Sequence, residues 1–229
     1  MESPPSRAPS LEEDTRPIRK DRATTGDGIL NFLVHALLSP DDDEILTGNT
    51  CADFIRGPLP ETTPPKIKAG IRLHRLIDHH ADRHPAFHSA KATIAAPRRR
   101  YAGVILDVFY DHCLYRNWAS HSTTEFDAFV EKTCHRIGLT SSALPIRDQA
   151  QRERLQRMVE SRWLRVYSHR AGLDRVFEGL ARRSRYGGDL LADAAQDLED
   201  HYPTIERSFL YLMPDLQAMV AAEAFALDG

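Results

Sequence analysis

The segment PPKIKAGIRLHRLIDHHADRH, from Pro64 to His84, decides the fold class. Ile67, Ile71, Leu73 and Ile77 recur at helical spacing, and the paired prolines at its start suit the first turn of a helix. The same period spreads outward in both directions. Upstream, Ile29, Phe32 and Ala36 alternate with Leu30, Leu33 and Leu37 at intervals of three and four until Pro40 intervenes. A polar link from Asp41 to Glu44 then leads to a short segment around Ala52, Phe54 and Ile55, closed by Gly57 and Pro58. Downstream, Pro97 precedes a second long helix through Tyr101, Val104, Ile105, Val108, Phe109 and Leu114. Ser122 and Glu125 have capping-box spacing ahead of Phe126, Phe129, Val130 and Ile137, with Gly138 as the expected C-cap.

After Pro145, the residues Leu155, Val159, Trp163, Val166 and Tyr167 predict one helix, and Leu173 to Leu180 another. Leu190 to about Leu227 predict a last long helix, with kinks at Pro203 and Pro214. No stretch alternates at period two between hairpin turns, so the expectation is an all-α bundle of about seven or eight helices. The chain has 229 residues, which suits one helical domain over 28–229. Residues 1–27, rich in Pro, Ser and charge, are expected to be a disordered extension.

No apolar run approaches the roughly 18 to 20 residues of a membrane span, and the N-terminus lacks the apolar core of a signal peptide. Cys51, Cys113 and Cys134 contain no CxxC pair, which argues against a disulfide framework or a thiolate zinc site and suits a reducing cytoplasm. The net charge of −3 conceals strong segregation. Lys66 to Arg100 carries nine bases against two acids, Arg147 to Arg185 eleven against five, and Asp189 to Asp228 one base against nine acids. Arginine supplies 25 of the 30 bases, and its guanidinium grips phosphate or carboxylate with two parallel bonds.

Seven of the eleven histidines lie in the first half of the chain, beside carboxylates at helical spacing. His74 and Asp78 stand four residues apart, as do Asp107 and Asp111, with His112 adjacent. Asp53 and His35 each sit in an apolar stretch, and Asp107 lies between Leu106 and Val108. Carboxylates among apolar neighbours need a compensating cation or several donors. Imidazole nitrogens and carboxylate oxygens converging from rigid helices form the kind of site that holds a hydrolytic divalent metal. Taken singly, these residues have plainer uses: Asp78 paired with Arg75 or Arg83, Asp111 with Arg116, and His35 satisfied in the core. HExxH, GxSxG, Walker and GxGxxG motifs are all missing, which removes zincin, α/β-hydrolase and nucleotide-fold readings.

Four ordered motifs carry a family resemblance: Asn31 to His35 (NFLVH), Gly48 to Gly57 (GNTCADFIRG), Gly70 to Asp78 (GIRLHRLID) and Leu106 to Leu114 (LDVFYDHCL). Together with Trp163 to Tyr167, Gly179 to Arg183 and Asp200 to Tyr202, they resemble the bacterial acyl carrier protein phosphodiesterases. The resemblance implies a divergent HD-type metal-dependent phosphohydrolase with an HD-domain-like helical bundle. Its implied activity is removal of 4′-phosphopantetheine from holo acyl carrier protein, an acidic partner, with manganese the expected ion and magnesium or iron as substitutes. It further implies His35, Asp53, His74, Asp107 and Asp111 around the metal, and Asp78, Asp111 and His112 in catalysis or phosphate contact. Arg56, Arg72 and Arg75 are expected to hold the phosphate, and Arg98, Arg99 and Arg100 to dock the carrier. No nucleic-acid partner is expected. The competing readings are an HD-like hydrolase of a nucleotide or other small phosphoester, and a non-catalytic helical module that binds an acidic partner.

Overall fold

A computed structural model of the protein describes residues 31–184 and 188–227; the extension expected over 1–27, with Ile29 and Leu30 of the first apolar pattern, lies outside them. The described residues form ten α-helices joined by turns and five short 3-10 segments, with no strand among them. This is the all-α bundle expected from the periodicity. The helices are α1 (Phe32–Leu37), α2 (Asp43–Thr50), α3 (Pro65–Arg83), α4 (Pro85–Lys91), α5 (Ala102–Arg116), α6 (Phe126–Thr140), α7 (Gln149–Glu160), α8 (Arg170–Arg183), α9 (Asp189–Ala192) and α10 (Ala195–Leu227).

Helix α5 is the axis of the core. Every residue from Ile105 to Asp111 is buried, as are Cys113 and Leu114, so the helix is enclosed on all sides rather than amphipathic. It touches α1, α4, α10 and the 3-10 segment Trp163–Ser168. Phe109 packs edge-on against Phe177 of α8, and Tyr110 lies against both Phe87 of α4 and Phe209 of α10. Cys51, Cys113 and Cys134 are buried free thiols.

The closest helix pairing is α2 against α3, and two glycines permit it. A Cβ on Gly48 would stand 2.5 Å from the Ile67 carbonyl, and one on Gly70 would run into the Ile45 carbonyl. The two backbones therefore touch where side chains normally hold helices 8 to 10 Å apart. This contact carries the end of α2 to within hydrogen-bonding reach of His74 on α3.

Several boundaries differ from expectation. Helix α6 starts after Glu125 without a side-chain cap, because the Ser122 hydroxyl bonds within its own turn to Thr124. It runs through exposed Gly138 to Thr140. The single helix expected over Leu155 to Tyr167 is two elements, since Arg162 adopts the left-handed conformation (φ 55°) and turns the chain into a 3-10 segment. Helix α10 bends at His201, two residues before Pro203, whereas Pro214 lies inside the helix without non-helical torsions. No helix among the described residues is long and apolar enough to cross a membrane.

Candidate metal centre

His35 on α1 and His74 and Asp78 on α3 come together so that one donor atom from each lies within 4.8 Å of the others. His35 Nε2 is 3.3 Å from an Asp78 oxygen, and His74 Nε2 is 3.5 Å from the other. Asp53, in the 3-10 turn after α2, adds a carboxylate 3.4 Å from His74 Nε2. The two imidazoles stack with centroids 4.1 Å apart. Both histidines are buried, whereas the side chains of Asp78 and Asp53 keep 17% and 23% of their exposure, so one edge of the group meets solvent.

Asn49, the penultimate residue of α2, orients both rings. Its side-chain oxygen accepts from His35 Nδ1 at 2.9 Å, while its amide nitrogen donates to the His35 carbonyl and to Ser39 Oγ, both at 2.9 Å. Its backbone carbonyl accepts from His74 Nδ1 at 2.8 Å. Because carbonyl oxygens only accept, both Nδ1 atoms carry hydrogens, and both Nε2 atoms are directed at the carboxylates. His35 Nε2 is buried and, although the Asp78 carboxylate stands 3.3 Å away, makes no well-aligned hydrogen bond among the described residues. Asn49 belongs to the GNTCADF run but was not singled out from sequence, since an asparagine near a helix end has many uses.

Burial and neighbouring charge set the protonation of the two rings. Burial and the neighbouring His74 push the His35 imidazole down, which favours its neutral form. Burial acts on His74 in the same direction, but the Asp78 and Asp53 carboxylates and the Asn49 carbonyl outweigh it and lift this ring to about 9. In this structure one proton on His74 is the local counter-charge to the two carboxylates. A divalent cation held by these residues would take the place of that proton and would also engage His35 Nε2. Two imidazole nitrogens with carboxylate oxygens are a donor set suited to zinc, iron or manganese, so the residues fit the metal that the resemblance implies.

The other candidates are distributed around this group. Asp111 is fully buried, and its carboxylate accepts from the backbone amides of Leu33 and Val34 at 3.1 and 2.9 Å. Those amides open α1, whose own N-cap residue Asn31 makes no side-chain cap. Asp111 thus caps, from the core, the helix that carries His35. Burial pushes its carboxyl up, against the amides and the Tyr167 hydroxyl, which favour the ionised form. Asp107 is buried one turn earlier on α5, outside the three-residue group. His112 Nδ1 donates to the Tyr167 carbonyl at 2.7 Å, tying α5 to the 3-10 segment.

Arg56, Arg72 and Arg75 are exposed, and the last two leave α3 well round from His74 in the helical projection. Arg98 makes two bonds to buried Asp197 of α10, at 2.8 and 2.6 Å. Arg100 lies over the Tyr101 ring, and Arg99 is exposed.

A family model described as acyl carrier protein phosphodiesterase matches residues 30–216. Among curated proteins, the acyl carrier protein phosphodiesterases of Escherichia coli strains CFT073 and K12 DH10B are each 33% identical over 196 residues, covering 85% of this chain and 100% of theirs. No solved structure matches the chain. With a family model spanning most of the described helices and relatives matched over their whole length, this chain belongs to the acyl carrier protein phosphodiesterase family.

Proposed function

We propose that the protein is a cytoplasmic, divalent-metal-dependent phosphodiesterase that releases 4′-phosphopantetheine from holo acyl carrier protein and leaves the apo carrier. The observation that carries this reading is the group formed by His35, His74 and Asp78, held by Asn49 and bordered by Asp53. Imidazole and carboxylate donors meeting from two helices also support the HD-type lineage, with the catalytic domain over 28–229 and manganese as the preferred ion. When bound, the cation supplies positive charge to the phosphoryl oxygens and makes a water more acidic.

The chain's own residues do the rest. Asn49 fixes both rings, so the site is preorganised and its donors need not reorient during turnover. Asp111 holds the start of α1 and therefore the position of His35. Asp53, the more exposed carboxylate at the edge of the group, would take the proton of the attacking water. Arg56, which follows Asp53 by three residues, is the nearest of the proposed phosphate arginines in sequence and would grip a non-bridging oxygen pair. Intact-mass measurement of holo acyl carrier protein, incubated with the enzyme and manganese, tests the reaction. Complete loss of the phosphopantetheine mass, abolished by chelator, is expected; an unchanged carrier mass in the presence of manganese would overturn it.

A further inference from the structure

The second basic run folds into a cleft. Its walls are the end of α7, the 3-10 segment Trp163–Ser168 and α8, and its volume is about 450 Å³. Arg154, Arg162, Arg165, Arg175, Arg182 and Arg183 line it, and among the described residues no carboxylate does. The floor is apolar, formed in part by Phe32, Trp163 and Tyr167. An apolar floor under a cationic rim is complementary to an apolar side chain surrounded by carboxylates. A free phosphate would engage two of these arginines and leave the floor bare.

Phe54, beside Asp53, links the cleft to the candidate metal centre through its contacts with Phe32 and Arg154. Phe32 precedes His35 by three positions on α1, packs edge-on against Trp163 and stacks with Phe54. Phe54 follows Asp53, and Arg154 lies over its ring at 5.2 Å. Several rim arginines are braced from outside the cleft: Arg162 by Glu131, and Arg165 by Asp127 and Glu131. Arg175 bonds to His169 Nε2 and the Ala171 carbonyl and has no carboxylate partner among the described residues. Arg182 is exposed, with Glu178 at 3.8 Å along its own helix, a contact of little strength in water. Arg98, by contrast, is committed to buried Asp197.

We infer that this cleft, rather than the Arg98 to Arg100 run, is the docking face for the acidic carrier protein, which seats an apolar residue on the floor and its flanking carboxylates on the arginine rim. The inference rests on the proposed function for the identity of its partner. Docking there delivers the carrier's modified serine beside the Asp53 edge of the metal centre, with the acidic surface steered by the field of the rim.

The double substitution Arg175→Glu/Arg182→Glu tests it. Neither side chain is buried, and neither touches the metal group. We expect KM for holo carrier to rise on the order of tenfold or more, with kcat and hydrolysis of the small diester bis(p-nitrophenyl) phosphate unchanged. Apo carrier, which has no scissile group, should lose affinity for the variant in parallel, and its affinity for the wild type should fall as salt is raised above about 0.1 M. Arg99→Glu should leave both quantities near the wild-type value. Unchanged apo-carrier affinity in the double variant, or an equal loss from Arg99→Glu, would overturn the docking face. Failure of the wild type to act on holo carrier would instead overturn the proposed function, and apo-carrier binding would still decide the docking question.

Discussion

Asn49 links the two histidines of the candidate metal centre: its side-chain amide holds His35, and its backbone carbonyl accepts from His74. Asn49→Ala removes the side-chain bonds that fix the His35 ring while keeping the backbone carbonyl that holds His74. Metal affinity should drop about 10- to 100-fold, with helical content retained, as measured by calorimetric titration alongside circular dichroism. Loss of this amide without change in affinity would show that α1 alone orients His35. His74 gives a second prediction at this scale. Its metal-free pKa of about 9 lies above the ordinary value of 6.5, so the stability it contributes is fully present below about 6.5 and is lost as pH rises through 9. Metal must displace that proton. Between pH 7 and 9 the apparent affinity should therefore climb by up to about tenfold per unit, with close to one proton released per ion; titrations in buffers of different ionisation enthalpy would read the release. The pairing of His74 with Asp78 was legible from spacing alone. The partnership of His35 with Asn49 was not, because a contact between two helices leaves no periodic trace in either.

At the level of helices, the approach of α2 to α3 places Asn49 beside His74, and Gly48 and Gly70 set the distance. Gly70→Ala would bring a methyl group against the backbone of α2, where no flexible side chain can yield. The cost should be about 1 to 3 kcal/mol by chemical denaturation, less the fraction of a kilocalorie that alanine gains over glycine within a helix. Metal affinity should fall with it, since separation of the helices lengthens the Asn49–His74 bond. Alanine at half-buried Gly103, where the nearest atom is the end of the Lys91 side chain at 3.6 Å, is the matched control and should not destabilise. The long helices α3 and α5 were readable from periodicity because their apolar positions are dense and Pro65 or Pro97 marks their approach. Local signals failed where a competing local bond was available. The Ser122 hydroxyl satisfied Thr124 instead of capping α6, and the apolar spacing from Leu155 to Tyr167 continued across the left-handed turn at Arg162. The role of Asp111 was hidden for a different reason: its partners, the amides of Leu33 and Val34, are backbone groups 77 and 78 positions away.

Across the whole molecule, the segregated charges of the sequence become contacts. The acidic last helix meets the first basic run at Arg98–Asp197 and the second at Arg170–Glu199, and Asp215 reaches His84 at 3.1 Å. Asp197 is only 2% exposed, so Asp197→Asn leaves the Arg98 charge facing a neutral site. That change should cost about 2 to 3 kcal/mol, below the value for a fully buried pair because the Arg98 side chain retains 17% of its exposure. Urea denaturation measures it, and a destabilisation no larger than that of an exposed pair would show that the contact does not hold α10 to the core. The segment charges were plain in the sequence, but their destinations depended on tertiary placement: α10 meets both basic runs, at Arg98 and at Arg170, and the second run also forms the arginine-lined cleft. If His35, His74 and Asp78 together hold one catalytic divalent ion, manganese binding and carrier turnover must rise together. Manganese titrated into chelator-treated protein, with carrier turnover followed on the same samples, measures both at once. One equivalent should bind, activity should rise in step with occupancy, and both should be lost in Asp78→Asn. Full turnover in protein that binds no divalent ion, or undiminished manganese binding in Asp78→Asn, would rule this arrangement out.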